Sequence, residues 1–270
     1  MNVAGIVPIA GQPLDLGFPW DDCLTPIAQN YVAVERAVAE CLYAGCKSVW
    51  IVGALDQQPL IRYRLGDKGK DPESHNPIRR GTRERDVCFY YVPITPQDYL
   101  RRNSIVWSSI YGILNIRKII GKTSRNLLPE KYYIAFPYGV YDPRVARQVR
   151  GRIKITKNQV LLRASDKTVM DGEYLGLSLT LEQAQKLERV LKDKAYHSSE
   201  KYAAKQFSLR DVYAEMELGE EIVYLDLDEY YNIDNWEKYI NYMKVSNIPL
   251  KRPKSLLLQK EWNGVGVDDE

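Results

Sequence analysis

A chain of 270 residues, 45% hydrophobic and 27% charged, can bury an α/β core in one domain, with a small appendage at most. Its formal net charge of +3 is too small to indicate nucleic acid as a partner. No apolar run reaches the ~18 residues of a membrane span and no charged-then-apolar leader opens the chain, so the expected setting is cytoplasmic, with no membrane partner.

The opening stretch organises the rest. Val3 to Ile9 is a short apolar run with β-branched residues, stopped by Ala10-Gly11, and predicts a buried strand. The loop that follows carries Gln12, Leu14, Asp15, Leu16, Pro19, Asp21, Asp22 and Pro26. Val32, Ala33, Ala37, Val38, Cys41 and Leu42 recur at helical spacing and predict a helix from about Asn30 to Ala44. Gly45 ends it, and Ser48 to Val52 reads as a second strand. The three elements form one βαβ unit whose loop lies at the carboxyl end of the first strand, where α/β sheets bind ligands.

A helix-like stretch then runs to about Leu65. Residues 66–85 are polar and charged, which predicts a loop or an exposed basic insertion, either simply solvated or a lid over a phosphate. Val87 to Val92 reads as a third strand, followed by a loop holding Gln97 and Asn103. Ser104 is a good N-cap for a helix from Ile105 to Ile120. Lys131 to Pro137 reads as a fourth strand. Asp142, immediately before Pro143, starts a basic helix that reaches about Gly151. Ile153 to Ser165 and Thr168 to Leu179 alternate loosely, as strands do.

Thr180 caps a predicted amphipathic helix to Tyr196, with Ala184, Leu187, Val190 and Leu191 as its apolar stripe. Ser208 to Glu217 reads as a second capped helix, Glu221 to Leu227 as a strand, and Asn235 to Val245 as a helix. Asp234 and Asn235 compete for the cap of that last helix. The tail beyond Asn247 carries Pro249, the basic run Lys251-Arg252-Pro253-Lys254, then Leu256-Leu257-Leu258, and should dock on the domain or on another chain.

His75 and His197 are too far apart in sequence to suggest metal-ligand spacing, and Cys23, Cys41, Cys46 and Cys88 form no C-x-x-C pair. Most of the cysteines read as buried, reduced thiols. Tyrosine is abundant, 20 against 4 phenylalanines, which suits half-wet surfaces and a protein partner.

Ala10-Gly11, Leu16, Pro19 and Pro26 at the start, with Ser208 to Tyr213, Ile222 to Leu225 and Tyr231-Asn232-Ile233-Asp234 towards the end, resemble the sugar-phosphate nucleotidyltransferase (nucleotide-diphospho-sugar transferase) superfamily. The resemblance spans roughly residues 1–245 and leaves 246–270 as a tail. It implies a Rossmann-like three-layer α/β domain with a mostly parallel central sheet. It implies an enzyme joining a nucleoside triphosphate to a sugar phosphate, with Mg²⁺ held by two acids. Carried onto this chain, it makes Ala10, Gly11, Gln12, Gln97, Asn103 and Ser104 nucleotide-binding candidates. Asp234 becomes the metal candidate, with Asp142 the nearest acid to the other metal position. The chain also departs from the pattern. Leu14-Asp15 stands where Gly-Thr-Arg belongs, Ile27 replaces the lysine, and Tyr138-Gly139 occupies the place of the first metal acid. Asp15, Asp21 and Asp22 would repel phosphate. The expectation is therefore a nucleotidyltransferase-like protein of degenerate or altered activity, or a non-catalytic binding or assembly protein on the same scaffold. Asp226-Leu227-Asp228 has the D-x-D letters of the related glycosyltransferases but lies late in the chain.

Overall fold

The computed structural model describes residues 2–11, 16–74, 85–102, 104–123, 128–155, 157–197 and 207–256. Strand β1 (Val3–Pro8) is followed by a hairpin of β2 (Pro26–Ala28) and β3 (Tyr31–Val32), helix α1 (Ala33–Tyr43), β4 (Ser48–Gly53) and α2 (Gln58–Leu65). Next come β5 (Lys68–Lys70), β6 (Asp86–Pro93), α3 (Pro96–Arg102), α4 (Ile105–Thr123), β7 (Lys131–Ile134) and β8 (Gly139–Val140). The remainder is α5 (Arg150–Ile153), β9 (Asn158–Arg163), β10 (Leu177–Leu179), α6 (Leu181–His197), α7 (Leu209–Tyr213), β11 (Glu221–Asp226), β12 (Tyr231–Asn232) and α8 (Trp236–Val245).

Eight strands form one sheet in the order β11-β9-β10-β7-β1-β4-β6-β5. β1 lies parallel to both β4 and β7, β4 is parallel to β6, and β9 is parallel to β11. β10 runs antiparallel to β7 and β9, and β5 antiparallel to β6. The architecture is a mostly parallel central sheet between two helical layers, with the predicted first strand near its middle. Alternation along β1 explains the layering. Val3 and Val7 pack with α1, whereas Ala4 and Ile6 pack with α4, whose Val106, Ile110 and Ile113 face the sheet. Burying each such aliphatic side chain stabilises the fold by roughly 1.5–3 kcal/mol.

A third apolar cluster caps the carboxyl ends of the strands. Ile27 and Tyr31 of the hairpin meet Val140 of β8, Ile233, and Tyr239 and Tyr242 of α8. Tyr239 Oη donates to Pro26 O at 2.8 Å and Tyr242 Oη to Ile27 O at 2.5 Å, so α8 is fastened to the hairpin by its tyrosines.

Several elements differ from the sequence reading. The first helix begins at Ala33, because Asn30 takes a left-handed conformation (φ 51°) and turns the hairpin. All eleven residues of α1 are buried, so its charged residues belong to the interior. Residues 66–74 are more than loop: β5 pairs with the edge of β6, while 75–84 lie outside the described residues. Pro96–Arg102 is a helix where a loop was expected. Pro143–Val149 is a 3-10 helix that passes into the short α5. Of the two loosely alternating stretches only Asn158–Arg163 and Leu177–Leu179 are strands, and Val169–Asp171 between them is a 3-10 turn capped by Thr168.

Among the described residues ten tyrosines are buried, while Tyr63, Tyr90, Tyr99, Tyr196 and Tyr224 are exposed. Buried hydroxyls take internal partners, as in Tyr213 with Ser109 at 2.6 Å. The described part of the tail docks on the same chain. Leu250 joins the third cluster, Leu256 is buried, and Arg252 Nη2 meets Glu35 Oε1 at 2.7 Å.

Candidate functional site

The ends of β1 and β4 shape a cleft of about 480 Å³. After β1 the chain is pinned to β4 by Ile9 N and Ala10 N, which both donate to Val52 O, at 2.8 and 3.3 Å. Ser104 caps α4 as expected, its Oγ accepting from Trp107 N at 3.1 Å. Ser108 Oγ donates to Ser104 O at 2.7 Å and lies 3.3 Å from Ala10 O. Gly11 has φ +159°, and a Cβ there would stand 3.1 Å from Ile105 N. Ala10, Gly11 and Ser104 are therefore brought together, with the loop resting on the amino end of α4. Gln97 lies exposed on α3, and Gln12 and Asn103 lie outside the described residues.

The cleft itself is lined by Gly11, Phe18, Trp20, Asp21, Asp22, Gln57, Leu60 and Tyr138, among others. Among the described residues its lining includes no lysine or arginine. Phe18 stacks on Trp20 at 4.7 Å and packs edge-on to Trp236 and Tyr239, each at 5.7 Å. Gln57 crosses from the β4 side. Its Nε2 donates to Asp21 Oδ1 at 3.0 Å, and its Oε1 accepts from Ala54 N at 3.0 Å. Asp21 and Asp22 open a 3-10 turn in which Thr25 Oγ1 donates to Asp22 O at 2.6 Å. Burial raises the pKa of the Tyr138 phenol well above the ordinary value, and nearby Cys23, Asp22 and Asp21 add to the rise. The Cys23 thiol is likewise raised, first by burial and then by Asp21 and Asp22. Both groups stay protonated at neutral pH. The surface is acidic and aromatic, able to accept hydrogen bonds and to cover apolar ring faces.

A protein assigned as a glucose-1-phosphate thymidylyltransferase from Bacillus anthracis, in complex with sucrose, is similar in structure across 94% of this chain and 99% of that one, with TM-score 0.57 and 10% identity. The fold is that of the nucleotide-diphospho-sugar transferases. UTP-bound UGPase from Acinetobacter baumannii is similar over 90% of this chain and 93% of that one, at TM-score 0.52 and 10% identity. A nucleotidyl transferase from Methanothermobacter is similar over 91% and 99%, at 0.52 and 11%. No family model matches the sequence and no curated protein matches it.

Within this nucleotidyltransferase-like fold, the two segments expected to carry metal acids do meet. β8 pairs with β12, Gly139 opposite Asn232 and Val140 opposite Tyr231. The approach is close enough that a Cβ on Gly139 would fall 1.9 Å from Tyr174 O. Tyr138 stacks edge-on to Tyr174 at 5.5 Å, and the Tyr174 phenol is raised by burial and then by Asp234. Asp234 does not act as a bare ligand. Its two oxygens accept from Lys238 Nζ at 2.8 and 3.0 Å. It is not the helix cap either, because Asn235 Oδ1 takes that place, accepting from Lys238 N at 3.0 Å. Asp142 caps the 3-10 helix through Arg144 N at 2.9 Å and is clasped by the Arg144 guanidinium. Among the described residues no group of three His, Cys, Asp or Glu side chains converges as a metal site. Two lone carboxylates, each neutralised by its own cation, do not fit a hard divalent ion such as Mg²⁺, which needs several converging oxygens.

Beneath the Tyr138 segment lies a buried polar network. Arg36 Nη1 pairs with Glu40 Oε2 at 2.9 Å, both side chains fully buried, and Arg36 Nη2 donates to Phe136 O. The guanidinium stands 4.4 Å over the Tyr141 ring. Tyr133 Oη donates to Glu40 Oε1 at 2.6 Å. This network fixes where β7 ends and therefore where Tyr138 stands. Phe18, Trp20, Gln57 and Tyr138 were not singled out from sequence as cleft-forming. The signal that could have found the first two is an aromatic pair around Pro19 in a glycine-bearing loop at a strand end.

Proposed function

We propose that this nucleotidyltransferase-like protein has lost nucleotidyl transfer and uses its strand-end cleft to bind an uncharged, hydroxyl-rich ligand such as a sugar ring. The observation that carries the reading is the lining of the cleft, with Asp21 and Asp22 present and, among the described residues, no cationic side chain. A triphosphate needs clustered N–H donors and positive charge. A neutral sugar needs hydrogen-bond acceptors for its hydroxyls and flat apolar faces for its C–H groups. Asp21, Asp22 and Gln57 supply polar partners, while Phe18, Trp20 and Tyr138 supply rings.

Calorimetry with ATP, CTP, GTP, UTP and dTTP plus Mg²⁺ tests the loss. The expected result is no binding tighter than about 100 μM, equivalent to about −5.5 kcal/mol. Glucose should change the fluorescence of Trp20 at millimolar concentration, glucose 1-phosphate should do so more weakly, and Trp20→Ala should abolish the signal. A tight Mg²⁺-dependent nucleotide isotherm, or pyrophosphate release from a nucleoside triphosphate with glucose 1-phosphate, overturns the reading.

A further inference from the structure

A second pocket, of about 350 Å³, opens at the opposite end of the sheet, where β7, β9 and β10 meet the start of α6. Lys131, the first residue of β7, lines it and is 1% exposed. Its Nζ donates to Ile155 O at 2.8 Å. Among the described residues it has no carboxylate partner, so an ammonium with three donors has one of them engaged. Asn158 lines the same pocket, is 6% exposed, and its Oδ1 is buried with no hydrogen-bond partner among the described residues. The two residues are neighbours, since Asn158 N also donates to Ile155 O, at 3.2 Å. Buried polar groups in native proteins are almost always satisfied, and a pair left incomplete on the wall of a cavity marks a place for a ligand.

The other charged side chains on this pocket are matched to one another. Lys157 pairs with Glu220 at 2.9 Å, and Lys186 pairs with Glu217 at 2.5 Å and Glu182 at 3.3 Å. Among the described residues, Lys131 is the cation on this lining that has no ion-pair partner. Burial pushes its pKa down to about 8, so it is mostly charged at pH 7 and ready to take an anion. The neighbouring Asn158 Oδ1 asks for a donor.

We infer that this pocket is a second ligand site that takes a small organic acid with a hydroxyl or amino group beside its carboxylate. The carboxylate sits on Lys131 Nζ and the adjacent donor on Asn158 Oδ1. Neither interaction involves the cleft at the other end of the sheet, so the site stands whether or not the cleft binds sugar.

Isothermal titration of the full chain at pH 7 with glycolate, acetate and inorganic phosphate tests it. Glycolate should bind in the millimolar range, and acetate, which lacks the donor, at least about fivefold more weakly. Lys131→Met should weaken glycolate at least about tenfold. Asn158→Asp places a carboxylate beside the ammonium without changing side-chain shape, and should also abolish binding, which keeps the test intact should the methionine variant fail to fold. Binding should fade above about pH 8 as Lys131 discharges; the other charged groups on this lining are Lys157, Lys186, Glu182, Glu217 and Glu220. Absence of glycolate binding, equal binding by either variant, or equal affinity for all three anions would overturn the assignment.

Discussion

Glu35, Arg36 and Glu40 on α1 are wholly buried, while Asp21 and Asp22 of the preceding loop are half exposed at the cleft. The α1 charges tie separate elements together. Glu35 holds Arg64 of α2 at 2.9 Å and Arg252 of the tail at 2.7 Å, and Glu40 holds Arg36 and Tyr133. Of the loop acids, Asp21 accepts from one side-chain amide, that of Gln57, at 3.0 Å. In this protein the strong electrostatics serve the scaffold, and the described lining of the candidate cleft carries Asp21 and Asp22 without a lysine or arginine. Variants on α1 should therefore move stability, and variants at the strand ends should move recognition.

The largest effect is expected at Glu40. Glu40→Ala leaves Arg36 buried and uncompensated and should cost about 3–5 kcal/mol in denaturant unfolding. Arg36→Met combined with Glu40→Leu removes both charges and should recover most of that loss. A single substitution costing less than about 1 kcal/mol would break the contrast between the helix and the cleft.

Lys131 is a buried charge with no acid partner among the described residues, so its removal should have the opposite sign. Its folded pKa, about 8, lies below the ordinary value of 10.5. Between those values the unfolded chain binds more protons, so stability rises with pH across that window. Lys131→Met should raise stability at pH 7 by about 1–2 kcal/mol, with the gain shrinking from pH 8 to 10.5. Matched urea titrations at pH 7 and pH 10 measure both the sign and the window.

Two adjacent residues give the smaller effects. Asn235→Ala removes the α8 cap and should cost about 1 kcal/mol. Asp234→Asn loses the partly exposed pair with Lys238 and should change stability by less than about 0.5 kcal/mol. If Asp234→Asn instead abolished a measurable nucleotidyl transfer, the carboxylate would be a working ligand and the proposed loss of activity would be wrong.

The alternation of apolar runs with amphipathic stretches made the central sheet and its main helices legible, because β1 and β4 are short apolar runs buried along their length, while period and burial coincide in β6 and α6. β10 was lost inside a longer alternating stretch, since three residues carry too little pattern to separate strand from the turn capped by Thr168. α1 was legible from its apolar spacing, but the burial of its other positions was not, because its polar side chains find partners on α2, on β7 and in the tail, far away in sequence. At the candidate site the sign of the charge was legible: the acids Asp21 and Asp22 line the cleft. The aromatic lining was not, because Tyr138 and Trp20 come together only through the fold. Lys131 was hidden by its neighbours, for an apolar run absorbs one lysine without altering the strand pattern.

The borders of the sheet carry a consequence for crowding. β5 is a three-residue border strand flanked by Lys68 and Lys70, and the Lys254–Leu256 turn lies against it, with Ser255 O 3.3 Å from where a Cβ on Gly69 would stand. At the far border β11 presents Glu221, Tyr224 and Asp226 outward, with Asp226 gripped by Arg163 at 2.6 Å. Short length, charge and a covering turn are the devices that discourage strand-to-strand addition between molecules. Copies of this chain at high concentration should therefore resist fibrillar stacking through their sheets, and any self-association should run through helical or loop surfaces.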